Sequence, residues 1–314
     1  MLQIDEDAVL LQAQLIDNSI RGSMTISEFY RDAHPLTSAL VVHIVLMITT
    51  FIAGTAQNEH SHIDRLWSLL PCVTVCHYFI HTYFYGTINP RLLMYTVVVL
   101  IWSVRLTFNF ARKGGYSGTE DYRWKILRSK IPSALFLIFS LVFISITQLL
   151  LLLAITTPAL VLLDSTDVEW TAKDLIVLVL LLCCILIEIT SDNEMWRYQN
   201  AKAQYKITGT ISKDYTQAEL ERGFCTRGTF AYSRHANFFA EQTFWTLPYL
   251  WSINLTGDWI SWPMIGPCGY ILLFQASTTL TEAISKSRYP AYAEYQRVVG
   301  RFLPSLRVSR WTEN

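Results

Sequence analysis

The sequence predicts an all-α protein, a polytopic membrane helix bundle of about seven transmembrane helices. Three observations lead there. Charged residues make up only 16% of the 314 positions while 52% are hydrophobic, whereas a soluble domain carries about 25% Asp, Glu, Lys and Arg. Mean hydropathy is positive, at +0.28. Apolar runs of roughly 20 residues, long enough to cross a bilayer core of about 30 Å, recur along the chain. The same composition excludes an intrinsically disordered chain, which has too little apolar surface to pack. The 25 basic residues are matched by 25 acidic ones, so no basic excess points to nucleic acid. Six cysteines in a chain this long do not describe a disulfide scaffold.

Taken in order, residues 1–36 are a polar, acidic leader without the apolar core of a secretory signal. They read as a weakly packed segment or a short amphipathic helix. The membrane domain runs from 37 to 305, and 306–314 is a tail. Its seven spans are placed at 37–56, 66–84, 92–111, 131–155, 175–190, 238–255 and 260–281. The fourth is the clearest because it holds no aspartate, glutamate, lysine or arginine. The second is weakened by Cys72, Cys76, His77 and His81, with Pro71 near its start. Glu241 and Gln242 stand near the start of the sixth and Pro248 interrupts it, which a membrane helix tolerates when neighbours re-satisfy the backbone.

Loop charge orients the chain, since cytoplasmic loops collect Lys and Arg close to the helix ends. Nineteen of the 25 bases fall in segments 112–130, 191–236 and the region after 281. By contrast 156–174 holds only Lys173, 85–91 only Arg91, and 256–259 none. This alternation predicts a lumenal or external N-terminus and a cytoplasmic C-terminus.

Ionisable groups inside or at the edge of a span are costly, which makes each a candidate for function. Arg105 lies inside the third span. Glu188 lies in the fifth, with Asp192 one turn later on the same face. Arg234, His235 and Glu241 flank the start of the sixth, and Glu282 closes the seventh. Taken singly, each is also explained as a helix-end charge that snorkels or caps. As a set, the acids and Arg234–His235 converge on the cytoplasmic face.

The most informative stretch runs from Gly228 to Glu241, with Ser233-Arg234-His235-x-Asn237-x-x-x-Glu241 at its core. This core resembles a signature shared by the steroid 5α-reductase superfamily, the sterol C14 reductases and the isoprenylcysteine carboxyl methyltransferases. Further pieces resemble a steroid-reductase-like branch of unassigned function. They are Asp64-Arg65-Leu66-Trp67-Ser68, Trp102-x-x-Arg105-Leu106-Thr107, Glu120-Asp121-Tyr122-Arg123-Trp124, Glu188-x-x-x-Asp192, and Tyr289-x-x-Tyr292-x-x-Tyr295 before Pro304. The resemblance covers roughly residues 60–305. Three departures stand out. Ala236 occupies a place where proline is usual, about 20 residues are inserted between Ile207 and Gly228, and Trp102 replaces a tyrosine thought to polarise a steroid ketone.

The resemblance implies a multi-pass enzyme of lipid metabolism in the endoplasmic reticulum membrane, with NADPH in a cavity covered by the cytoplasmic loops. It places Asp192, Asn237 and Glu241 at the cofactor, and by extension Glu188, Arg234 and His235. No Gly-x-Gly-x-x-Gly follows a strand, so a Rossmann site is not available. Arginine's planar donor fork suits phosphate oxygens and buried carboxylates suit ribose or amide donors. Arg123, Arg128 and Arg197 are assigned to the 2′-phosphate on charge alone. For activating the substrate, Asp64 comes first, because a desolvated carboxyl has a raised pKa and can donate a hydrogen bond. Arg105 comes second, and Glu241 is counted with the catalytic group as well. Asp64 also has a plainer reading, as the N-cap of the second helix.

The expected activity is NADPH-dependent reduction of a carbon–carbon double bond in a lipid-soluble, steroid-, sterol- or enoyl-like substrate drawn from the bilayer. Two alternatives stand beside it: methyl transfer from S-adenosylmethionine, and a non-enzymatic lipid-binding protein. No metal is expected, because His77 and His81 form only one His-x-x-x-His pair, with His60-x-His62 nearby. Cys183 and Cys184 sit in an apolar run, where cysteine behaves as a small hydrophobe.

Overall fold

Every regular element among the described residues is helical, and several helix starts follow local chemistry. The computed structural model describes residues 6–86, 88–118, 120–165 and 169–305. The expected tail at 306–314, with Arg307 and Arg310, lies outside the described residues, as do residues 1–5. The chain forms two compact units. Unit 1 is Met1–Leu178 with Pro248–Gly269, and unit 2 is Val179–Leu247 with Tyr270–Asn314.

Unit 1 begins with α1 (Glu6–Ile20) and α2 (Ile26–Asp32), so the described part of the leader is largely helical. A capping box starts α2: Glu28 N donates to Thr25 Oγ1 at 3.2 Å and Thr25 N donates to Glu28 Oε2 at 2.8 Å. Helix α3 (Pro35–Gln57) has proline in its first turn and ends at Asn58 in the left-handed region, φ 53°. The stretch expected as the second span is broken into α4 (His62–Leu66) and α5 (Leu70–Tyr85). Pro71 explains the restart, because proline fits a first helical turn but removes a hydrogen bond from an interior. Helix α6 (Pro90–Arg112) is capped by Asn89, whose side chain accepts from the backbone of Arg91 and Leu92. Asp121 caps α7 (Tyr122–Lys130) in the same way.

The fourth apolar stretch is not one uniform helix. It comprises α8 (Ser133–Phe139), a π-helical segment Ser140–Thr147, α9 (Gln148–Ala154) and α10 (Pro158–Asp164). The wider π turn re-phases the side chains. At its two edges, Ser140 Oγ lies 2.9 Å from His60 Nδ1 and Gln148 Oε1 accepts from Trp67 Nε1 at 2.9 Å. An apolar sequence of this length thus still delivers hydrogen bonds where polar groups are buried.

Four stretches are long and apolar enough to cross a membrane: Pro35–Gln57, Pro90–Arg112, Ser133–Asp164 and Ala172–Thr208. They match the first, third, fourth and fifth expected spans. Their outward faces are apolar, as lipid requires. On α3, Val42, Val45, Ile48 and Ile52 are exposed, and on α6, Val97, Ile101, Val104 and Phe108.

The start of α6 carries an ion pair that loop-charge counting misses. Arg91 Nε donates to Asp174 Oδ1 at 2.8 Å, with both side chains almost fully buried. Its other donors reach Ser165 O at 3.1 Å and Glu169 O at 2.5 Å, and the ring of Trp170 lies 5.2 Å from the guanidinium carbon. Trp251 Nε1 donates to the same Asp174 oxygen at 2.7 Å.

Helix α11 (Ala172–Thr208) runs well past residue 190, where the fifth span was expected to end. Its unit 2 part makes its own core with the inserted stretch, in which α12 (Gln217–Arg222) packs. Tyr198, Ala201, Leu220, Cys225 and Phe230 are buried together. Gly223 ends α12 at φ 89°, where a Cβ would fall 2.2 Å from the ring of Tyr289. Helices α13 (Ala236–Thr256), α14 (Ile265–Arg288) and α15 (Tyr292–Val298) follow. A second aromatic cluster joins Phe224, Tyr292, Tyr295 and Val299.

Candidate functional site

The signature segment of unit 2 forms a 3-10 turn, Gly228–Ala231, and is tied down before α13 begins. Ser233 bridges Gly300, Arg234 N donates to Gly300 O at 3.0 Å, and His235 N donates to Arg301 O at 3.1 Å. Tyr295 OH donates to Phe230 O at 2.6 Å, fixing the incoming turn. Glu194 of α11 accepts from both the backbone and the hydroxyl of Thr229, at 2.8 and 2.6 Å. Gly228 is required beside it: its φ is 61°, and a Cβ would lie 2.0 Å from the Glu194 carboxylate.

Glu282 of α14 is the hub of this arrangement. It accepts from Arg234 Nε at 2.6 Å and NH2 at 3.2 Å, and from Gln296 Nε2 at 3.0 Å. His235 Nε2 lies 3.0 Å away and Arg301 Nε 3.4 Å. Burial alone pushes the Glu282 carboxyl up. Hydrogen bonds from His235 and Arg234, with their charge, win and hold it well below the usual carboxylate range. The remaining Arg234 donor reaches the carbonyls of Gln296 and Val299. Arg234 is therefore engaged on every nitrogen by unit 2 itself. The sequence noted Glu282 as a helix-end acid but did not place it in the site. Gln296 and Arg301 carried no signal, because their role depends on the chain returning after α15.

Beyond this hub the signature meets the acidic part of α11. Asn237 Nδ2 contacts Asp192 Oδ1 at 3.4 Å, joining residues that are 45 positions apart. Glu241 is buried and its Oε1 accepts from Trp245 Nε1 at 3.1 Å and Tyr270 OH at 2.8 Å. Glu188 is fully buried on α11, whereas Arg197 is exposed. Along α14, Tyr270, Phe274, Thr278 and Glu282 recur every four residues and so share a face. Tyr270 meets Glu241, Phe274 packs edge-on against Phe238, and Glu282 meets Arg234. Thr278, fully buried between them, has no hydrogen-bond partner for its hydroxyl among the described residues.

The other sequence-predicted residues belong to unit 1. Ser61 takes the N-cap place of α4, so Asp64 stands inside the first turn and not at the cap. Its Oδ2 accepts from Trp124 Nε1 at 2.9 Å, and Arg123 NH2 lies 3.8 Å from Oδ1. Burial raises the Asp64 pKa and outweighs the lowering by the Arg123 charge and the Trp124 hydrogen bond. Arg123 itself is gripped by Asp121, at 2.9 and 3.1 Å. Arg105 is half-buried on α6, three residues beyond the buried Trp102. Arg128 pairs with Glu120.

A raised carboxyl pKa sets the sign of a pH effect. As pH rises above the usual aspartate range, the unfolded chain ionises while buried Asp64 keeps its proton, so stability falls until the raised value is passed. Asp64→Asn removes this penalty and its amide oxygen still accepts from Trp124. In thermal melts at several pH values it is expected to match the wild type in acid and to exceed it at neutral pH. A wild type that gains stability relative to the variant as pH rises contradicts a desolvated Asp64.

His77 has polar partners within unit 1. His77 Nδ1 lies 3.1 Å from Tyr30 OH, and its Nε2 lies 3.0 Å from Ser38 Oγ and from Pro35 O. No group of three His, Cys, Asp or Glu among the described residues is arranged to hold a metal.

The fold and its four membrane-length apolar helices define an integral membrane protein whose second unit buries the carboxylates of Glu188, Asp192, Glu219, Glu241 and Glu282. The chain belongs to the family described as a protein of unknown function (DUF1295), whose model matches residues 50–299. An uncharacterized protein of Schizosaccharomyces pombe is 33% identical over 294 residues, spanning 92% of this chain and 86% of that protein. No solved structure matches.

Proposed function

We propose that the chain is a seven-span membrane reductase that uses NADPH to saturate a carbon–carbon double bond in a lipid-soluble, enone-like substrate. The resemblance of its signature to the steroid 5α-reductase superfamily motivates the reading. The observation that carries it is the meeting of Asp192 with Asn237 beside buried Glu241 inside one unit. Acids withdrawn from water in a membrane protein are expensive and point to a working site. The three expected spans beyond the four apolar helices are assigned to α5, α13 and α14, with a cytoplasmic C-terminus following from the sorted loop charge and an endoplasmic reticulum location from the resemblance.

The donor set fits a nicotinamide nucleotide. Asn237 offers an amide, while Asp192 and Glu241 offer carboxylate acceptors for ribose hydroxyls or an amide N–H. Exposed Arg197 supplies charge of the right sign for phosphate. Arg234 is assigned to positioning: through Glu282 it aims His235 and the start of α13. When bound, NADPH supplies hydride to the electron-poor carbon. Asp64, whose pKa burial raises, is assigned the hydrogen bond that polarises the substrate oxygen, with Arg105 as the alternative donor.

Nucleotide binding tests the reading. Glu241→Gln is expected to weaken NADPH binding to the purified protein by about 10- to 100-fold, the loss of one charge-assisted hydrogen bond. An unchanged affinity sinks the site assignment. Thermal stabilisation by S-adenosylmethionine and not by NADPH replaces reduction with methyl transfer, and stabilisation by neither favours a lipid-binding protein without catalysis.

A further inference from the structure

The segment between α6 and α8 sorts its charges by residue type. Residues 112–130 hold six bases against two acids. The arginines among them turn onto the protein. Arg112 donates to Asn109 Oδ1 at 3.0 and 2.8 Å, Arg123 pairs with Asp121, and Arg128 pairs with Glu120 over the ring of Phe136. Glu120 also accepts from His60 N at 3.0 Å, and Asp121 N donates to Ser61 Oγ at 2.8 Å. The lysines Lys113, Lys125 and Lys130 are all exposed. With Glu120 and Asp121 taken by arginines, the segment has no acid left to neutralise Lys125 and Lys130.

The phase of α7 turns these lysines into a surface. Trp124 is its buried residue, and the indole N–H donates to Asp64 Oδ2 at 2.9 Å. Tyr122, Lys125 and Ser129 lie on the opposite face at helical spacing, with Lys130 beside them. Lys113 directly follows α6, and Lys130 stands three residues before α8, a reach of about 10 Å at most. Both helices begin or end stretches long and apolar enough to cross a membrane. Lys113 and Lys130 are thus tethered within about one Debye length of the bilayer surface, and Lys125 is about 8 Å further along α7. Tyr116 and Tyr122 are exposed among them, the residue type that settles at headgroup level.

We propose that the outer face of α7, together with Lys113, binds anionic phospholipid headgroups of the cytoplasmic leaflet. A zwitterionic headgroup carries no net charge and gains little there. Lysine suits an anionic one, being a compact charge on a flexible stem that can follow a mobile phosphate, while the planar forks of the arginines are used inward. A soluble acidic protein is the poorer match, because the face is pinned beside two span ends, where lipid is always at hand. The inference goes beyond the reductase reading and shares with it only the cytoplasmic side of this loop.

The test titrates the full-length protein in detergent micelles with phosphatidylserine and with phosphatidylcholine of identical, fluorescently labelled acyl chains. Wild type is expected to bind phosphatidylserine about tenfold more tightly or better at low salt, since each lysine near a charged surface is worth about fivefold. The preference is expected to fade at about 1 M salt, where the Debye length is about 3 Å. The triple variant Lys113→Gln, Lys125→Gln, Lys130→Gln is expected to lose the preference at an unchanged melting temperature. Arginine at the same three positions keeps it, as does glutamine at the exposed unit 2 lysines Lys206, Lys213 and Lys286. A wild type indifferent to the headgroup, a glutamine triple that still prefers phosphatidylserine, or inorganic phosphate that displaces the lipid at equal concentration overturns the proposal. NADPH binding on the same samples separates the two readings: a lysine-dependent lipid preference without nucleotide affinity leaves this surface standing and removes the reductase.

Discussion

Glu282→Ala is expected to destabilise the protein by about 3–5 kcal/mol, because it strands a buried arginine. Arg234 loses two donors' worth of acceptor at once, and His235, Gln296 and Arg301 lose a shared partner. Removing one member of a buried pair costs more than the pair contributes, since the survivor keeps its desolvation cost. Acid modulates the effect in a defined direction. Glu282 has a folded pKa well below its ordinary value near 4.5, so its stabilisation is fully present above that value and is lost as pH falls below it. Melting curves of wild type and variant are therefore expected to converge on acidification. The same variant is expected to lose NADPH affinity, since the backbone ahead of Asn237 is positioned by Arg234. A variant as stable as wild type at neutral pH shows that the hub contributes nothing to the fold.

Asp174→Ala is the second large effect, again about 3–5 kcal/mol. It takes the carboxylate from buried Arg91 Nε and the acceptor from Trp251 Nε1. Asp174→Asn keeps one acceptor oxygen and is expected to fall between wild type and alanine. The readout is thermal unfolding, together with NADPH affinity measured below the melting point. Asp174 lies outside the nucleotide residues, so intact binding beside a lowered melting temperature is the expected pair of results. Equal melting temperatures for wild type and alanine variant exclude the clasp.

Hydropathy alone located the four apolar helices, since a 20-residue run without charge has few alternatives to a membrane span. It did not foresee the break at Trp67–Leu69 or the π-helical turn at 140–147, both of which depend on which neighbour a polar side chain must reach. The pairing of Asp192 with the signature was legible because the motif supplied both halves. Glu282 and Arg91 were visible as charges but not as partners. Each bonds to a residue between 48 and 83 positions away, and no local pattern encodes such a distance. Arg91 in particular was counted only as a loop base, with no sign of its burial.

The length of α11 has a last consequence. At 37 residues it is about 55 Å long, nearly twice the thickness of a bilayer core. Its unit 2 portion carries Glu188, Asp192, Glu194, Tyr198 and Ala201 on one unbroken rod, so these side chains keep a fixed angular register. One residue added between Asp192 and Tyr198 would turn everything beyond it by about 100°. Either the acids or the aromatic packing of the inserted stretch would then face the wrong way. A change of length is therefore expected to be tolerated only after Thr208, where the helix has ended and a miscounted residue no longer turns anything.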